Sequence, residues 1–132
     1  MADERRVIEL RTPADEQSAI LIRMTTAGAL AYSGISLDEM EDAKLAAEEA
    51  CKCLIRSCGC GELAIRYIID KDKFTLDADG LMTSDCACEG LSDEEVGVIR
   101  YVLLSMMDTV ELVFDDKCLR GIRMAKSLRL CQ

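Results

Sequence analysis

The sequence predicts an α+β fold in two layers, a mostly antiparallel sheet with helices on one face, and three observations carry that prediction. Three segments repeat apolar residues at the helical period. Two of them open on a serine followed three residues later by glutamate, Ser36-Leu37-Asp38-Glu39 and Ser92-Asp93-Glu94-Glu95, which is the capping-box pattern of a helix start. Two pairs of short segments rich in strand-forming residues are joined by charged turns, Asp70-Lys71-Asp72-Lys73 and Asp115-Asp116-Lys117, as antiparallel hairpins are. A chain of 132 residues can bury one core and is too short for two, so residues 1–132 are expected to form a single domain.

Taken in order, Arg5 to Arg11 alternates in polarity and stops at Thr12-Pro13, which reads as a half-buried first strand. Asp15 to about Tyr32 carries Ile20, Met24, Ala27 and Ala31 at helical spacing and ends at Ser33-Gly34. The second helix runs from the box at Ser36 to about Ser57. Its stripe of Met40, Ala43, Ala47, Ala50, Cys51, Leu54 and Cys58 is expected to face the core, while Leu45, Glu49, Cys53 and Arg56 fall on roughly the opposite side and are left for function. Glu62 to Asp70 and Phe74 to Ala78 form the first hairpin, closed by Asp79-Gly80. Leu81 to Gly90 has no periodicity and reads as a loop. A third helix follows from Ser92 to about Met107, and Val110 to Phe114 with Leu119 to Leu128 make the last hairpin. The cations Arg120, Arg123, Lys126 and Arg129 in that hairpin read as an exposed edge or interface.

Composition excludes several functions. Aromatic residues are 4% of the chain and tryptophan is absent, so the core is aliphatic. The net charge of -9 repels a phosphate backbone and argues against nucleic acid. No apolar run is long enough for a membrane span, and Met1-Ala2-Asp3-Glu4-Arg5-Arg6 is not followed by the apolar region of a signal peptide. A cytoplasmic protein without a membrane partner is expected. Histidine is absent, which removes Ser-His-Asp and Cys-His catalysis.

Three stretches carry a resemblance: "VIELRTPA" at Val7 to Ala14, "SGISLDEMEDAKLAAEEAC" at Ser33 to Cys51, and "LSDEEVGVIRYVLLSMMDTVEL" at Leu91 to Leu112. In this order they resemble the RsbW-type anti-sigma factors, which are serine protein kinases of the GHKL, or histidine-kinase-like (Bergerat) ATPase, superfamily. The resemblance implies a GHKL-like fold, a homodimer, and a sigma factor or anti-anti-sigma-like protein as partner. It also implies a site for ATP with magnesium, built from three motifs. In the first, a helix motif Glu-Ala-Cys-Thr-Asn supplies a base and a magnesium ligand; here Glu49-Ala50-Cys51 is kept, Lys52 replaces the threonine and Cys53 the asparagine. In the second, an Asp-x-Gly at the end of the third strand binds adenine. Gly80 matches that glycine, the aspartate position falls on Ala78, and Asp77 and Asp79 lie one residue to either side. A one-residue slip turns a strand side chain to the other face unless a bulge restores it. In the third, a glycine-rich turn cradles phosphates; only Gly97 is kept, within Glu94-Glu95-Val96-Gly97-Val98.

Loss of the adenine contact and the magnesium ligand together would weaken binding by about two to four powers of ten. The expected protein is therefore a regulatory interaction domain without a required cofactor, in which Glu49, Cys53, Asp77, Asp79, Gly80 and Gly97 mark a degenerate nucleotide pocket. The alternative is an active ATP-dependent serine kinase with Glu49 as base and Asp77 or Asp79 replacing the missing aspartate.

A third reading uses the eight cysteines. In the cytoplasm they are not expected to be a disulfide framework. Cys51 and Cys53 point to different sides of a helix and cannot share an ion. Cys53, Cys58 or Cys60 could converge with Cys86 and Cys88 on the vacated pocket as a metal or redox sensor, while Cys51, Cys118 and Cys131 read as small buried hydrophobes. No metal site is assigned. The seven methionines, including Met106 and Met107, read as core filler, and Glu48 as part of a solvated face.

Overall fold

A computed structural model describes residues 5–31, 33–81, 88 and 90–128, with only the backbone of Cys58. Its elements are β1 (Arg6–Pro13), α1 (Ser18–Leu30), α2 (Leu37–Cys58), β2 (Glu62–Ile69), β3 (Lys73–Leu81), α3 (Asp93–Leu104), β4 (Thr109–Asp115) and β5 (Cys118–Ser127). All five strands form one antiparallel sheet in the order β1-β2-β3-β5-β4. The three helices cover one face, which gives the α+β two-layer arrangement expected from the sequence and consistent with a GHKL-like fold.

Both serine caps are realised. Ser36 accepts the Glu39 amide at 3.2 Å, and its hydroxyl in turn donates to the Glu39 carboxylate. Ser92 forms the full reciprocal box with Glu95. Helix α2 ends at Gly59, whose φ of 64° is the left-handed conformation that glycine adopts without a Cβ penalty.

Leu63, Ile65, Tyr67 and Ile69 of β2, Phe74, Leu76 and Ala78 of β3, and Leu119, Ile122 and Met124 of β5 are buried on the helix-facing side. They pack with Ala43, Ala46, Ala47, Ala50, Cys51 and Leu54 of α2 in one cluster, and the small side chains along α2 are what let it lie close to the sheet. Tyr67 brings a polar tip into this core. Its hydroxyl lies 2.9 Å from Thr26 Oγ1, which itself donates to the Ile22 carbonyl, and burial raises the phenol to about 12.

Two expectations change. In α1 the inward stripe is Ile22, Thr26, Ala29 and Leu30, while Ile20 and Met24 stand exposed, because the helix is apolar on two sides and the core takes only one. The cations of the last hairpin do not form an edge. Strand β5 lies between β3 and β4, so Lys126 is buried and donates to the Met106 carbonyl at 2.8 Å, beyond the C-terminus of α3, where a cation offsets the helix dipole. Arg120 pairs with Asp115, and Arg129 lies outside the described residues. No helix among the described residues is long and apolar enough to cross a membrane.

Candidate functional site

Strand β3 decides where the two candidate aspartates go. It pairs with β2 in unbroken register from Phe74↔Ile69 to Leu81↔Glu62, and with β5 from Lys73↔Ser127 to Asp79↔Gly121. No bulge interrupts it, so side chains alternate strictly. Leu76, Ala78 and Gly80 face the helices and are buried, with Ala78 between Ile65 and Ile122. Asp77 and Asp79 face the opposite, uncovered side of the sheet.

On that open face a row of alternating charges crosses all five strands: Glu9, Arg66, Asp77, Arg123 and Glu111 are neighbours in register. Arg123 lies 3.8 Å from Asp77 and 2.9 Å from Asp79. A Cβ at residue 121 would lie 2.6 Å from Asp79 Oδ1 and 3.0 Å from Arg123 Nη1. Glycine at that position is what permits this approach. Both aspartates are thus committed to an ion-paired sheet surface.

The helical side holds a different group. A cavity of about 530 Å³ between α2 and α3 is lined by Cys53, Arg56, Ser57, Leu91, Glu94 and Glu95 among others. Cys53, expected on a free helix face, is 2% exposed, because α3 and the residues preceding it pack over the end of α2. Its thiol donates to Glu49 Oε2 at 3.7 Å, and Arg56 Nη2 lies 3.6 Å from the sulfur and 3.5 Å from the same carboxylate. Burial pushes the Cys53 thiol up, partly opposed by Arg56, so the sulfur is a neutral thiol at physiological pH.

At the other wall, Ser92 Oγ accepts the Glu95 amide at 3.1 Å and Glu95 Oε1 accepts the Ser92 amide at 3.0 Å. These hydrogen bonds to Ser92 hold the Glu95 carboxyl below its ordinary range. Gly97 lies in the second turn of α3, exposed, with nothing within 4 Å of where a Cβ would be. Cys53 and the first turn of α3 therefore come together, while Glu49 lies beside Cys53 outside the cavity wall, and Asp77 and Asp79 are on the far side of the sheet.

Glu48 is a link between helices: it meets Arg23 of α1 at 3.2 Å and Lys52 at 3.0 Å. Cys51 is buried, with its thiol pushed up to about 12 by desolvation. Cys88 and Cys118 are paired as a disulfide, which corrects the reading of Cys118 as an inert buried hydrophobe. Nothing in the sequence singles out this pair, because partners 30 residues apart meet only through the fold. Cys86, Cys131 and the side chain of Cys58 lie outside the described residues. Among the described residues there is no cluster of three or more metal-ligating side chains.

No family model matches the chain. It is similar to serine-protein kinase RsbW of Bacillus cereus (strain AH187), 25% identical over 134 residues that cover 88% of this chain and 82% of the relative. It is likewise similar to serine-protein kinase RsbW of Bacillus subtilis (strain 168), 27% identical over 131 residues that cover 85% and 81%.

Proposed function

We propose that the protein is a regulatory interaction domain of the anti-sigma type, binding a sigma factor or an anti-anti-sigma-like protein in the cytoplasm, with a degenerate nucleotide site. The similarity to RsbW kinases over most of the chain supports the type. The observation that carries the degeneracy is the unbroken register of β3, which leaves Leu76, Ala78 and Gly80 on the helix-facing side and no carboxylate there to read an adenine amino group.

The remaining groups do not fit Mg-ATP either. Magnesium takes hard oxygen ligands; Cys53 offers a neutral thiol, and the neighbouring Glu49 is engaged by Arg56. Phosphates are held by free amides at a helix N-terminus. Here the Glu95 carboxylate and the Ser92 hydroxyl already occupy two of these donors, the amides of Ser92 and Glu95, and Glu94 adds a second negative charge to the cavity. No phosphoryl-transfer step is derived for this chain.

The homodimer that the resemblance implies would cover the outward side of α1, where Ile20, Leu21 and Met24 are exposed, and light scattering of the pure protein measures its mass. The functional test mixes the protein with the sigma factors and anti-anti-sigma-like proteins of its own genome, with and without Mg-ATP, and follows binding by calorimetry and partner phosphorylation by mass spectrometry. The reading predicts a complex whose affinity changes by less than about twofold with Mg-ATP and a partner that gains no phosphate. Phosphoserine in the partner, or binding that depends on ATP, would reject it.

A further inference from the structure

We propose that Cys88 and Cys118 form a reversible thiol–disulfide site whose state sets access to the cavity lined by Cys53. This goes beyond the partner-binding reading and does not depend on which partner binds. The Cα atoms of the pair are 5.9 Å apart, within the range that a disulfide spans. Cys88 is half-buried and Cys118 is buried, 9% exposed, so Cys88 is the sulfur of the pair that a small thiol or disulfide reaches.

The bond is mechanically connected to the cavity wall. Gly90 and Leu91, which line the cavity, follow Cys88 closely in the chain, and Lys117 immediately precedes Cys118. The Leu91 amide donates to the Lys117 carbonyl at 3.4 Å. Gly90 is left-handed, with φ of 74°, and a Cβ there would stand 3.1 Å from the Lys117 Cβ. Glycine suits both the left-handed backbone and the close approach of this wall to the β4–β5 turn. The covalent link closes a 30-residue stretch of chain around the same contact, fixing the wall against the sheet.

The reduced state also has a place for the sulfur. Cys88 Sγ lies 3.3 Å from the Ser57 carbonyl near the end of α2, an acceptor for its S–H once the bond to Cys118 opens. Ser57 lines the same cavity. Both states of the thiol are therefore accommodated, and passage between them trades a covalent clamp on the wall for a single weak hydrogen bond.

The oxidant is a low-molecular-weight disulfide. The Cys88 thiolate, its proton given to solvent, attacks one sulfur and expels one thiolate. The Cys118 thiolate then attacks the mixed disulfide at the Cys88 sulfur and expels the second. Two protein thiols become one disulfide, and the reagent becomes two thiols.

The test equilibrates the full chain with mixtures of reduced and oxidised glutathione, quenches with acid, and maps thiols by alkylation and mass spectrometry. The Cys88–Cys118 peptide is expected to accumulate as the mixture becomes oxidising and to disappear when it is made reducing. The oxidised form should melt roughly 10 °C higher, from the loop it closes, and Cys53 should alkylate at least about fivefold more slowly in it. In Cys88→Ser and in Cys118→Ser, the linked peptide and the oxidation dependence of Cys53 alkylation should both vanish. A pair that stays linked, or stays open, at every glutathione ratio overturns the proposal, as does a bridge from Cys88 to any other cysteine. Equal Cys53 alkylation in the two wild-type states overturns the link to the cavity, and that comparison stands even if a serine variant fails to fold.

Discussion

A carboxylate at residue 78 of β3 and the carboxylates one residue to either side should differ greatly in their effect on stability, and the size of the difference follows from the sheet. Ala78 is fully buried, flanked in register by Ile65 and Ile122, which are themselves 1% and 0% exposed. Ala78→Asp puts a carboxyl group there with no partner, at a cost of about 3 kcal/mol or more. An unfolding entropy of about 2.1 cal/mol/K per residue amounts to roughly 280 cal/mol/K for 132 residues, so each kcal/mol moves Tm by about 3.6 °C. Ala78→Asp should therefore lower Tm by about 11 °C or more. Asp77→Ala and Asp79→Ala remove partly exposed ion pairs to Arg123, each contributing at most about 1 kcal/mol, and should lower Tm by less than about 4 °C.

Burial would raise the pKa of the carboxyl group introduced by Ala78→Asp, so its ionisation penalty is full above that raised folded value and shrinks as pH falls through it towards the unfolded carboxylate pKa. Thermal melts of the three variants at pH 7 and pH 3.5 read both effects. If Ala78→Asp melts within about 3 °C of wild type at pH 7, residue 78 faces a polar space able to hold a carboxylate, and the reasoning from strand register fails.

Other predictions follow from single contacts. Tyr67→Phe removes the hydroxyl facing Thr26, which keeps its bond to the Ile22 carbonyl; a loss of about 1 kcal/mol, near 4 °C in Tm, is expected from calorimetry. Glu95 has its pKa depressed by the hydrogen bonds to Ser92, so its contribution is present above the ordinary glutamate range and is lost as pH falls through the depressed folded value. Melting of Ser92→Ala should accordingly lose less on acidification than wild type does, and an equal loss would count against the box. With its thiol near 12 and buried, Cys51 should stay unmodified by iodoacetamide at pH 8 in the native protein and react after denaturation.

Much of the fold was legible because local signals agreed with the tertiary outcome. The serines at 36 and 92 start α2 and α3 as their spacing predicts, and the small and apolar stripe from Ala43 to Leu54 is the buried one. Strand β3 was longer than read, from Lys73 to Leu81. Phe74, Leu76, Ala78 and Gly80 continue one inward alternation, but Asp79-Gly80 has the composition of a turn. What the sequence hid was long-range placement. Lys126 is buried because β5 inserts between β3 and β4, and Cys53 is buried because α3 closes over a face that the helical wheel alone leaves free. The Cys88–Cys118 pairing depends on the same closure. Of the site, the types of residue were readable and their facing was not, since the direction of Asp77 and Asp79 rested on whether a bulge existed in β3.

The central claim, that the cleft between α2 and α3 no longer holds nucleotide, is tested most directly by melting the purified protein across a Mg-ATP titration. Selective binding at a hundred times Kd adds about 2.7 kcal/mol, near 10 °C for a chain of this size. The account predicts a change of less than about 1 °C up to millimolar Mg-ATP; a saturable rise of several degrees would contradict it.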